Sequence, residues 1–113
     1  MEISFNDFSI IIEAVKFSNG AKRRKEHIEK TFNYDPTRRF MFNLIYFDGN
    51  NNFDESWESV KNDINTAAYP NNFSLIQIED IASESNGIKI AKSKHQNNLF
   101  FYHIMGDFSY PGI

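Results

Sequence analysis

The chain of 113 residues contains no cysteine, and proline (three) and glycine (five) are scarce. The first absence removes disulfide frameworks, thiolate nucleophiles, cysteine-type zinc sites and iron–sulfur clusters together, and it fits a reducing compartment. The glycines, Gly20, Gly49, Gly87, Gly106 and Gly112, stand singly. None belongs to a GxGxxG or GxxxxGK[ST] element, so a nucleotide phosphate has no backbone cradle. There is no HExxH, no His-x-x-x-His and no GxSxG elbow. The stretch Asp48-Gly49-Asn50-Asn51-Asn52 lacks the regular oxygen ligands and distal glutamate of a calcium loop. Every apolar run is cut by Lys, Asp, Glu or Asn well short of the roughly 18 residues of a membrane span. Residues 1–6 carry no basic leader. The expectation is a cytoplasmic domain that uses no metal and no cofactor.

What is present is a core. Hydrophobic residues make up 41% of the chain, aromatics 16% and charged residues 24%. At this length, folding buries roughly two-thirds of the unfolded surface, so residues 1–113 are read as one domain. Between Asn6 or Asp7 and Asn19-Gly20, residues 7–18 place Phe8, Ile11, Ile12 and Val15 at helical spacing, with Ile10, Ala14 and Phe17 as a second ridge. A strand is the rival there, because Ile10-Ile11-Ile12 is β-branched. Residues 21–32 predict a solvated helix carrying Lys22, Arg23, Arg24, Lys25 and Lys30. Asp35-Pro36 then turns the chain into a strand at residues 39–47, apolar on both faces and therefore interior to a sheet, where a charge at Leu44 is expected to unfold the protein. Residues 54–68 predict a helix with Trp57, Val60, Ile64 and Ala68 inward, Asp54 capping and Phe53 stapling. Three strands follow at 73–79, 87–93 and 98–105, with connectors short enough for antiparallel pairing. The fold expected is α+β: an antiparallel sheet of about four strands with two or three helices packed on one face.

Charge is unevenly placed. Residues 16–39 hold eight bases against three acids, whereas residues 48–84 hold eight acids against the single base Lys61. On a helical wheel Glu55 and Glu58 lie opposite the Trp57, Val60 and Ile64 stripe and face solvent. Such acids complement the helix dipole; they also attract a basic partner and speed its capture. The Lys22 to Lys25 cluster suggests nucleic acid, but Glu26, Glu29 and a net charge of −3 dilute it, and pairing with the acidic segment explains it better.

A small, acidic, aromatic-rich domain without cofactor motifs resembles, in type though not in any residue motif, the bacterial immunity proteins that neutralise a cognate toxin. That resemblance implies a non-enzymatic inhibitor covering a basic protein partner, such as a nuclease. The contact residues expected are Asp48, Asp54, Glu55, Glu58, Asp63, Tyr69 and Asp80, with Tyr69 and Tyr110 as aromatic anchors and Trp57 in the core. Two rivals stand beside it. A metal-free RNA-cleaving enzyme would use a pair among His27, His95 and His103. A homo-oligomeric accessory or ligand-binding protein would use the ridge of Ile10, Ala14 and Phe17.

Overall fold

Two-residue alternation, not helical spacing, governs the first part of the chain. The computed structural model describes residues 1–34, 39–48, 52–82 and 87–107. In it β1 (Glu2–Ser4) pairs antiparallel with β2 (Ser9–Lys16), and a 3-10 turn (Phe17–Asn19) follows. The helix expected at residues 7–18 is therefore corrected to a strand. Ile11, Glu13 and Val15 point into the core while Ala14 and Lys16 are exposed, and the Ile10-Ile11-Ile12 run gains more from a pleated, half-buried surface than from a helix. Every residue of β2 is in register with β3 (Arg39–Phe47), parallel to it. Between them runs α1 (Ala21–Thr31).

From β3 the chain enters α2 (Phe53–Thr66), then a 3-10 turn (Asn71–Phe73), β4 (Leu75–Ala82), β5 (Ile88–His95) and β6 (Leu99–Asp107). The strands lie in the order β1-β2-β3-β6-β5-β4. The last three pair antiparallel as their short connectors require. β6, however, inserts beside β3 and parallel to it, so the sheet is six-stranded and mixed, not a four-stranded antiparallel one. The tight β5–β6 turn places Asn97 and Asn98 at φ 64° and 58°, left-handed values that asparagine tolerates.

α2 begins one residue before expectation, and Asn52, not Asp54, caps it: the Asn52 side chain accepts from the Glu55 backbone N–H at 3.1 Å. Asp54 and Glu55 occupy the first turn, where they favour the positive end of the dipole. Replacing Asn52 by alanine should lower stability by about 1 kcal/mol in urea unfolding, while Asp54→Ala costs less.

Both helices cover the same face of the sheet. Ile11, Val15, Met41, Ile45, Phe47, Ala91, Leu99, Phe101 and Met105 from the strands meet Ile28, Trp57, Val60 and Ile64 from the helices. Among the described residues no helix covers the opposite face. Phe40 is 52% exposed, Tyr46 46% and Leu44 37%. The strand at 39–47 is interior, as expected, but Leu44 looks onto this open face, so a charge there meets water in the single chain and is not the unfolding change. Of the supposed ridge of Ile10, Ala14 and Phe17, the first two alternate onto the open face and Phe17 turns into the core.

Candidate functional site

The residues richest in chemistry lie under the helices. On β5 and β6, Ser93, His95 and His103 are all buried at 0% exposure, and Asn43 on β3 is buried beside them. His95 Nδ1 faces the Phe73 carbonyl at 3.0 Å, so that nitrogen carries the proton. Its Nε2 then accepts from the Ser93 hydroxyl at 2.8 Å. Ser93 Oγ in turn accepts from His103 Nε2 at 2.9 Å, which leaves His103 Nδ1 to accept from the Asn43 amide at 3.2 Å. With both imidazoles neutral this gives one directed chain, Asn43 to His103 to Ser93 to His95 to the Phe73 carbonyl, in which the Ser93 hydroxyl is shared with the more distant Phe101 carbonyl at 3.3 Å. Burial lowers the pKa of His103 to about 3, with His95 adding to the effect, and burial also lowers that of His95 against the opposing Phe73 bond.

The histidine-pair alternative names His27, His95 and His103. His95 and His103 converge on the Ser93 hydroxyl, and both rings are buried at 0% exposure. His27, on α1, makes no hydrogen bond to them. Glu13 on β2 stands in register with Asn43, and Glu13 Oε1, Asn43 Oδ1 and His27 Nδ1 are buried without a hydrogen-bond partner. Among the described residues no group of three His, Cys, Asp or Glu side chains is placed to hold a metal. No helix among them is long and apolar enough to cross a membrane.

The expected acidic surface divides. Asp54, Glu55 and Glu58 are exposed on α2. Asp54 Oδ1 pairs with Lys89 Nζ at 2.9 Å, and Lys61 Nζ lies 3.0 Å from Glu58 and 2.9 Å from Asp80. Asp80, on β4, also accepts from Trp57 Nε1 at 2.8 Å. Burial pushes the Asp80 carboxyl up, but the Lys61 and Trp57 hydrogen bonds outweigh it and hold it below the usual range. The structure thus brings Asp54, Glu55, Glu58 and Asp80 to one region around α2, where two lysines offset four acids and, among the described residues, Glu55 makes no ion pair.

Three expected contact residues also make bonds within the domain. Asp63 is buried: Arg24 Nε on α1 donates to Asp63 Oδ2 at 2.5 Å, Arg24 also donates to the Phe17 carbonyl at 2.8 Å, and its guanidinium sits 4.2 Å over the Phe17 ring. Burial pushes the Asp63 carboxyl up, and the Arg24 bond opposes it. One cation of the basic cluster therefore pairs with the acidic segment inside the domain. Tyr69 is half-buried, donates its hydroxyl to the Ile64 carbonyl at 2.5 Å and packs against His95 at 4.6 Å. Burial raises its pKa. Asp48 accepts from the Ser18 hydroxyl and N–H at 2.6 and 3.0 Å, bonds that lower its pKa, and so ties the turn after β2 to the end of β3. Tyr110 lies outside the described residues.

What the charge argument missed is the open face. Ile12, Phe42 and Tyr102 form one cross-strand row and Ala14, Leu44, Ile104 and Ile90 the next, with Phe42 stacked on Tyr102 at 5.7 Å. The two-sided hydrophobicity of residues 39–47 is its sequence signal. Compared with protein-family models, with curated proteins and with solved structures, the chain matches none.

Proposed function

We propose that this protein is a non-enzymatic inhibitor that binds a basic protein partner and blocks it, in the manner of the immunity proteins that cover a toxin's cationic active site. The observation that carries the reading is the exposed ridge of α2, where Asp54, Glu55 and Glu58 follow one another on a helix whose opposite side is fixed in the core by Trp57, Val60 and Ile64. A rigid helix presents these carboxylates without further ordering, which keeps the entropic cost of binding low. Lys61 and Lys89 hold Asp80 and Asp54 in place while leaving the ridge net negative. The histidines speak for binding over catalysis, since they serve a sealed structural network.

Capture from the native cell with the tagged protein tests this reading against its own charge-reversed variant, Glu55→Lys with Glu58→Lys. The expected result is a basic protein retained by the parent and lost by the variant, whose activity the parent suppresses. Equal retention by both proteins would remove the ridge from the contact surface.

A further inference from the structure

We infer that the open face of the sheet is covered by a second copy of this chain, in a two-fold dimer whose axis runs parallel to the strands between β3 and β6. This goes beyond the binding function proposed for α2, which lies on the other side of the sheet and stays exposed in such a dimer.

The strand order places three strands on either side of that axis: β1, β2 and β3 on one, β6, β5 and β4 on the other. Because β3 and β6 are parallel and in register, rotation about the axis lays each strand over the counterpart it already matches in height: β3 over β6 and β2 over β5 of the other copy. The side chains then complement each other in size. Tyr46 lies over Gly106, and the small Ala14 lies over Ile90. Leu44 meets Ile104, and Phe42 meets Tyr102. Each pairing occurs twice, as an isologous interface demands.

Charge agrees. The central strands β3 and β6 place no charge on this face, and its lysines, Lys16, Lys92 and Lys94, lie on the flanking β2 and β5, with Lys92 3.8 Å from Glu79 of β4. The rotation carries exposed Lys94 of one copy toward the end of the sheet where the other has the exposed turn bearing Asp7. Lys92, already 5.0 Å over the Phe100 ring, lays its stem against Ile12. Five long strands about 4.8 Å apart and about 27 Å long present on the order of 650 Å². That falls within the roughly 600 to 1,000 Å² each partner gives to a stable interface. Two twisted sheets packed face to face in near alignment form an ordinary sandwich core about 10 Å thick.

Light scattering coupled to size exclusion reads the result directly. At about 50 μM the parent should give twice the 13.2 kDa chain mass. The Leu44→Lys, Tyr46→Lys variant should give a single chain mass with unchanged far-ultraviolet circular dichroism and a cooperative melt. Should that variant fail to fold, Phe40→Ser with Phe100→Ser, at two exposed positions, should weaken the dimer at least tenfold. The Glu55→Lys, Glu58→Lys variant should remain a dimer. A parent that stays at the single chain mass across this concentration range, including one whose open face instead takes up a different protein, would overturn the inference. So would a folded open-face variant that stays dimeric, or a charge-reversed α2 variant that dissociates.

Discussion

Asp63→Leu should cost the fold about 3 to 5 kcal/mol, because it leaves the Arg24 guanidinium buried with no anion. Arg24 is 6% and Asp63 2% exposed, and their bond ties α1 to α2. Arg24 would keep its bond to the Phe17 carbonyl and its place over the Phe17 ring, but neither supplies a countercharge. The pair itself contributes little net stability, since taking two ions out of water offsets most of their attraction. Arg24→Met combined with Asp63→Leu should therefore recover most of the loss. Urea unfolding of the two single variants and the double one closes the cycle. A double variant as unstable as the sum of the singles would show that the pair does more than neutralise itself.

The second large effect is acid lability. His103 titrates at about 3 in the folded chain against an ordinary 6.5, and burial lowers His95 as well. Below pH 6.5 the unfolded chain takes up protons that the folded chain refuses, so stability falls as pH falls. From pH 6.5 to 4.5 the loss from His103 alone should be about 2 to 3 kcal/mol, with His95 adding to it. Above about pH 7.5 the contribution is complete, and between pH 6.5 and 7.5 each ring gains only a further few tenths of a kcal/mol. The depressed carboxylates Asp48 and Asp80 act in the same direction at lower pH, near the ordinary carboxylate range around 3.8. Urea midpoints at pH 7, 5.5 and 4.5 measure the effect, and His103→Gln should flatten the curve. A stability unchanged between pH 6.5 and 4.5 would mean that the rings are protonated in the folded state and the directed chain is wrong.

How much of this was legible from the residues varies by element. The helix at 53–66 and the strand at 39–47 announced themselves, because Trp57, Val60 and Ile64 sit on one stripe and Phe40 to Phe47 is apolar at every step but Asn43. The first segment misled because 10–12 is a solid apolar run that fits either period, and only the parallel pairing with β3 decides between them. The insertion of β6 between β3 and β5 is a long-range choice that no local pattern encodes. Asp63 was counted among exposed acids from its charge, yet it adjoins Val60 and Ile64 on the wheel, a flank more buried than exposed. The Ser93, His95 and His103 network was invisible because its members are separated by a turn. Their common inward direction becomes plain only once β5 and β6 are paired, Ser93 opposite Phe101 and His95 opposite Leu99.

The two surfaces left over are of different kinds. The open sheet face is apolar and suits a permanent contact, whereas the α2 ridge is charged, solvated and suited to capture of a separate partner. Rim carboxylates act mainly on association rate, and their influence fades as salt screens them beyond a Debye length of about 8 to 10 Å.

That difference supplies the most direct measurement: the association rate of the captured basic partner with the parent and with the Glu55→Lys, Glu58→Lys variant, at low and at moderate salt. The account predicts a rate about tenfold or more lower for the variant at low salt, with the gap narrowing as salt rises. Equal rates and equal affinities in both conditions would contradict it, and would leave the acids of α2 as a ridge that only keeps the helix in water.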